Sequence, residues 1–170
     1  MKYGLFFLVV LLVSTSFTNP EANADTYVIV IDKSDNTLQV FEDDECLVTY
    51  PVVFGTWDKS DKLMQGDKRT PEGSYRIIHK KPHNKWSKFM LIDYPNKEDQ
   101  EKFEQRKRAG IIPSHAKIGG NIGIHGTWPR EDFAIDYKQQ WTEGCISTKN
   151  KFVDKLYNVV PNGTRVVIQP

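Results

Sequence analysis

Hydrophobic and polar positions alternate at short period through the first half of the chain. Tyr27 to Ile31 is a β-branched run of the kind a buried strand carries. Asp32-Lys33-Ser34-Asp35-Asn36 is turn chemistry, and Thr37 to Phe41 resumes the alternation with Leu38 and Val40 on one face. Glu42 to Glu45 is an acidic turn. It lacks the spaced ligands and the glycine of a calcium loop, so it reads as a solvated hairpin tip. Cys46 to Phe54 predicts a third strand, with Cys46 packed as a small hydrophobe. Gly55 to Gly73 is a long polar loop, of a length that is usually functional or mobile. Ser74 to His79 and Lys88 to Asp93 read as two further strands.

The period then changes. Asn96 to Arg108 predicts a helix: Asn96 can cap it, Glu98, Asp99 and Glu101 sit near its start, and Arg106, Lys107 and Arg108 close it before Gly110. Phe103 is its one large apolar residue, so most of its surface faces water. Gly119 to Ile124 is a glycine-rich strand leading into His125. Ser147-Thr148 reads as an N-cap pair for a helix with Phe152, Val153, Leu156, Val159 and Val160 at helical spacing. Asn162-Gly163 turns the chain into a last strand, Thr164 to Gln169. Six to eight short strands with two to three helices make a β-rich α+β domain.

Composition narrows the choices. The chain has 170 residues, one-domain length, and 39% hydrophobic residues exclude a disordered chain. A net charge of +1 argues against a nucleic-acid partner. Residues 1–24 carry Lys2, an apolar run from Leu5 to Val13, and Ala22-Asn23-Ala24, the small-x-small form that signal peptidase accepts. This segment reads as a signal peptide, too short in its apolar run to span a bilayer. Residues 25–170 then form one exported domain with no membrane contact after cleavage. In an oxidising compartment, Cys46 and Cys145 are either a disulfide or one buried thiol and one reactive thiol.

The informative stretch is Ile124 to Ser147. His125 ends a strand, where a side chain can be aimed rigidly, and Cys145 follows Gly144 just before an expected helix start. A cysteine nucleophile needs an imidazole to take its proton. A nearby helix N-terminus would lower the thiol pKa, and amides around Gly144 and Cys145 would hold an oxyanion. His115, His125 and Cys145 have no zinc-ligand spacing, which disfavours a zinc site.

His125-Gly126-Thr127, a loop, then Thr142-Glu143-Gly144-Cys145-Ile146 resembles the motif of the L,D-transpeptidase family, the YkuD-type domain. Gly66 to Gly73, GDKRTPEG, followed by Ser74-Tyr75-Arg76-Ile77 is similar to that family's TPxGxF/Y segment, and Tyr27 to Phe41 is similar to its opening hairpin. The resemblance covers residues 26–169 and implies a mixed β-sandwich or sheet with two to three helices. It implies Cys145 as the nucleophile toward a diaminopimelate-type carbonyl of a peptidoglycan stem peptide. It implies His125 as general acid and base, the Gly126 carbonyl as orienter of its ring, and Gly144 as part of the oxyanion hole. The acyl-enzyme passes to an amine, which crosslinks, or to water, which cleaves. The resemblance implies no metal or organic cofactor, and the implied location is periplasmic or wall-associated.

Two positions depart from the family pattern. Glu143 stands where a His is usual, and Ser147 where an Arg that helps hold substrate carboxylates is frequent. A carboxylate at 143 would raise the thiol pKa unless it points away. Relatives with Thr-x-Gly-Cys-Ile and GDxRTPEG include chains similar to amidases that detach a lipoprotein from peptidoglycan, so a hydrolase with a wall-linked lipoprotein partner is one alternative. A silent wall-binding module is the other. Thr127, Trp128, Arg130, Trp141, Glu143 and Ser147 are the expected substrate contacts, with Phe133 and Tyr137 as further aromatic wall. Arg130, Lys149 and Arg69 are the candidates to replace the missing Arg. The stretch from His79 to Trp86 is a basic aromatic segment that reads as a solvated loop or a contact for an anionic polymer, and His115 as a surface histidine.

Overall fold

The structure, a computed structural model, describes residues 24–170. The segment expected to be a signal peptide therefore lies outside the described residues, apart from Ala24. Eight strands and three helices follow: β1 (Tyr27–Asp32), β2 (Thr37–Glu42), β3 (Glu45–Pro51), β4 (Gly73–His83), β5 (Ser87–Ile92), α1 (Lys97–Arg108), β6 (Gly123–His125), α2 (Phe133–Asp136), β7 (Ile146–Ser147), α3 (Asn150–Val159) and β8 (Arg165–Gln169). The strands form one sheet in the order β3-β2-β1-β8-β4-β5-β6-β7. The expected β-rich α+β class is what the chain adopts.

One long strand bends this sheet. Residues Gly73 to Arg76 of β4 pair with β8, and from Ile77 onward β4 pairs with β5 instead. A register shift between Ile77 and His79 marks the change of partner. The far end of the sheet then meets its beginning: Val53, two residues past β3, bridges antiparallel to Ser147 of β7. Both backbone hydrogen bonds of that bridge are 2.9 Å. The curled sheet encloses Ile29, Ile31, Leu38 and Val40 from one half and Met90, Ile124 and Ile146 from the other, with Val153 and Leu156 of α3 packed in.

Four local expectations change. β3 ends at Pro51 rather than Phe54, because the chain leaves to make the Val53 bridge. Cys46 is exposed rather than packed, because β3 is an edge strand with mostly exposed positions. Both cysteines are free, which removes the disulfide reading. The stretch His79 to Trp86 is not a solvated loop, since β4 continues to His83 and pairs there with β5.

Helix α1 forms as its sequence predicts. Asn96 accepts from the Asp99 amide, and Asp99 accepts from the Asn96 amide, a reciprocal cap. At its basic end, Arg106 pairs with Asp61 at 2.6 Å and donates to the Lys62 carbonyl at 2.8 Å. That contact pins the loop between β3 and β4, whose Asp67 accepts backbone N–H groups from Leu63, Met64 and Arg69.

Candidate active site

Strand β6 is three buried residues, Gly123-Ile124-His125. Ile124 packs in the core, so the alternation of a strand puts Gly123 and His125 on the opposite face. Strand β7 runs parallel to it, with Ile146 beside Ile124 and Ser147 beside His125. Cys145, one residue before β7, is thereby level with Gly123. Its Sγ lies 3.5 Å from the Asn121 carbonyl, and the Gly123 amide faces it.

His125 is 1% exposed, and its Nδ1 is 2.7 Å from the Gly126 carbonyl oxygen. A carbonyl can only accept, so Nδ1 carries the proton and Nε2 keeps its lone pair. Ser147 Oγ donates to the same carbonyl at 3.2 Å. Burial holds the His125 pKa down at about 4 and pushes the Cys145 thiol up to about 11. At neutral pH the sulfur therefore keeps its proton and the imidazole is uncharged. The expected helix N-terminus beside Cys145 is absent: α3 starts at Asn150, with β7 in between.

The turn carrying Cys145 is fixed from two sides. The Thr142 hydroxyl donates to the Cys145 carbonyl at 2.8 Å and accepts the Gly144 amide at 3.2 Å. The Thr70 hydroxyl, from the GDKRTPEG segment, donates to the Gly144 carbonyl at 2.9 Å. The Gly144 amide, expected in an oxyanion hole, is thus committed to the turn. What Gly144 supplies is a φ of +121°, which L residues rarely adopt.

Aromatic rings enclose the imidazole. Trp86 stacks on it at 4.5 Å between centroids and 23°, Phe89 lies near-parallel at 6.0 Å, and Trp141 meets it edge-on at 5.3 Å. His83 stacks on the other face of Trp86 at 4.3 Å. These rings and Trp128 wall a cavity of about 530 Å³ that contains both His125 and Cys145. That volume falls within the range of small-ligand sites.

The other expected contacts divide. Trp128, Trp141 and Glu143 line the cavity. The Glu143 side chain is 73% exposed and pairs with Lys68 at 3.3 Å, so it turns away from the sulfur. Thr127 and Ser147 are fully buried beneath the site and cannot touch a ligand there. Arg130 is outside the cavity lining, as are Phe133 and Tyr137. Arg69 is held by Asp58 and Lys149 by Asp136, so neither replaces the absent Arg. His115 and His79 also lie off the cavity. The sequence reading puts Trp86 and His83 in a tract for a solvated loop or an anionic polymer, not at this site. Their signal was a tryptophan and a histidine at the tip of a hairpin between two alternating strands. Among the described residues no three His, Cys, Asp or Glu side chains converge to hold a metal.

Thr127 and Asp132 tie the site to α3. Thr127 Oγ1 donates to Asp132 Oδ1 at 2.6 Å, and the same oxygen accepts the Asn150 amide at 2.9 Å. Neither Ser147 nor Thr148 caps the helix: Thr148 donates to the Pro51 carbonyl, and the cap comes from Asp132 across the loop. Asp132→Ala should lower unfolding stability by about 1–2 kcal/mol, the usual cost of a lost cap. Denaturant melts would check this; an unchanged midpoint would reject the capping role.

A thiol and an imidazole thus share one aromatic-walled cavity at adjoining parallel strands of a curled sheet, the pairing of groups that a cysteine nucleophile requires. The chain belongs to the YkuD family, the L,D-transpeptidase catalytic domain, whose model matches residues 26–168. It is 27% identical over 152 residues to a Bacillus licheniformis protein carrying the L,D-transpeptidase name YkuD, covering 87% of this chain and 70% of that one. Its fold matches the helical cell shape determining protein Pgp2 of Campylobacter jejuni, with 23% identity and a TM-score of 0.61 over 85% of this chain. It also matches an L,D-transpeptidase of Stackebrandtia nassauensis, with 15% identity and a TM-score of 0.57 over 92% of this chain. The chain spans 47% and 62% of those two solved chains respectively, so it corresponds to part of each. Among the described residues no helix is long and apolar enough to cross a membrane.

Proposed function

We propose that the chain is an exported L,D-transpeptidase that works through a Cys145 thioester on peptidoglycan stem peptides. The observation that carries this reading is the Gly126 carbonyl on His125 Nδ1, which leaves Nε2 basic in the cavity that holds the Cys145 thiol. His125 removes the thiol proton as the sulfur attacks the carbonyl carbon of a diaminopimelate-type residue. The neutral resting state means that transfer accompanies attack rather than preceding it. With the Gly144 amide committed to its turn, the Cys145 amide is our candidate for the developing oxyanion. Collapse breaks the C–N bond, and the departing D-amino acid takes the proton from His125. An acceptor amine then attacks the thioester, returns its proton through His125, and frees the thiol. No cofactor enters these steps.

Export rests on residues 1–24, and places the enzyme in the periplasm or wall. Intact mass of the exported protein, with and without a carbapenem, tests the reading. Among the solved structures of similar fold is LdtMt1 in complex with imipenem, a drug of this class. The expected mass begins at Asp25 and gains one drug molecule, and Cys145→Ala gains none. Muropeptide products then assign crosslinking, or cleavage if water or a lipoprotein link is the true partner. A thiol that forms no adduct and no product would leave a silent wall-binding module and overturn the proposal.

A further inference from the structure

The position where the family pattern has an Arg is occupied here by Ser147, fully buried beneath His125. The three cations that sequence reasoning offered in its place are committed or elsewhere. The cavity nevertheless has one lysine in its lining, Lys81, from the part of β4 that runs past the expected strand end.

Its placement is set by register. Lys81 is opposite Phe89 across β4 and β5, and Phe89 is opposite His125 across β5 and β6. Residues directly opposite share a face, so Lys81, Phe89 and His125 form one row across three strands. Two strand spacings, roughly 10 Å, separate the ends of the row. The Lys81 ammonium stands 6.0 Å from the centroid of the Phe89 ring, which also neighbours the His125 imidazole. Lys85, at the hairpin tip, stands 5.2 Å over the Trp128 ring.

Neither ammonium has an ion pair or a hydrogen bond among the described residues, whereas Lys33, Lys62, Lys88 and Lys149 each pair with a carboxylate. The one carboxylate of the cavity lining, Glu143, is already turned out to Lys68. The His125 side of the cavity thus carries unneutralised, solvent-exposed positive charge beside a wall of rings.

We propose that Lys81, assisted by Lys85, is the receptor for a free carboxylate at the leaving end of the bound peptide, and so determines specificity for carboxylate-terminated stems. The assignment of the leaving end rests on the reading under Proposed function. There the departing nitrogen must reach His125 to take its proton, and the α-carboxylate is one carbon away from that nitrogen. A ligand entering with that geometry places its carboxylate along the Phe89 row. A stem whose last residue is amidated, or linked onward to a protein, has no charge to offer there.

Binding and turnover test this separately. Cys145→Ala protein is titrated by calorimetry with a synthetic stem tetrapeptide ending in a carboxylate and with its C-terminal amide. The carboxylate form should bind about tenfold tighter, as a charge-assisted contact allows. Adding Lys81→Gln should erase that preference while leaving the amide's affinity unchanged, and Lys81→Arg should keep it. Raised salt should weaken only the carboxylate form. Equal binding of the two peptides, binding of neither, or a preference that survives Lys81→Gln with Lys85→Gln would overturn the inference. If the preference depends on Lys81 but the wild type forms no product, the subsite stands and the proposed activity falls. If product forms and Lys81 is irrelevant to the preference, the reverse holds.

Discussion

Gly126→Ala should abolish measurable turnover and cost about 2–4 kcal/mol in unfolding free energy, the range of overpacked cores with backbone displacement. The reason is space, not backbone strain. A Cβ at position 126 would fall on Asn150 Oδ1, 2.7 Å from the Trp86 carbonyl and 3.1 Å from Val153 Cγ1. Two of those neighbours cannot retreat cheaply. The Trp86 carbonyl accepts the Gly126 amide at 3.0 Å, and Val153 is a fully buried residue of α3. The backbone at 126 must therefore move, and its carbonyl moves with it. That carbonyl fixes both the His125 tautomer and the Ser147 hydroxyl. Activity and stability should fall together, with carbapenem acylation of the folded fraction slowed by at least about 100-fold. A variant that keeps wild-type acylation would show that the Gly126 carbonyl does not orient the imidazole.

The β-branched run Tyr27–Ile31 and the alternating run Thr37–Phe41 became β1 and β2 within a residue at each end, because one face of each strand meets the core. Helix α1 was legible for another reason: its cap and end charges are local, and Asn96 and Asp99 do what their spacing allows. The motif around His125 and Cys145 was visible for its residue types. Its electrostatics were not, because the His125 pKa depends on burial among rings that come from a distant hairpin. The capping of α3 was misread for a similar cause. Ser147 and Thr148 have the right chemistry for a cap, but the Val53 bridge draws Ser147 into strand, the Thr148 hydroxyl goes to the Pro51 carbonyl, and the task is left to Asp132. The tract His79–Trp86 was misread most. Its lysines and proline look like loop, yet β5 offers a pairing partner, and pairing outweighs local preference. Its tryptophan ends against His125, which no periodicity along the chain encodes.

Trp86→Ala is expected to move the His125 pKa upward from about 4 toward its ordinary value near 6.5, and to cut kcat/KM at pH 7 by about 100-fold because the imidazole loses the ring that positions it. The Trp86 ring covers one face of the imidazole, and the largest cause of the depressed pKa is burial. Removing the ring admits water, which stabilises the imidazolium. Stacking and apolar area are lost as well, for about 3–5 kcal/mol of stability. The sign of the pH effect follows. In the wild type the folded pKa lies below the unfolded one, so the unfolded chain binds a proton first as pH falls. Stability from this residue is therefore complete above about 6.5, declines between about 6.5 and about 4, and levels off below. The variant should lose most of that decline, because its two pKa values converge. Its activity should fall steeply below pH 7, where the wild type still has a neutral imidazole. Alkylation of wild-type Cys145 by iodoacetamide should show no histidine step near 6.5 and should climb with pH toward about 11. Proton NMR titration of His125 in both proteins decides the matter. A wild-type imidazole that titrates near 6.5, or a Trp86→Ala imidazole still at about 4, would mean that the Trp86 ring does not keep His125 in its basic, uncharged form.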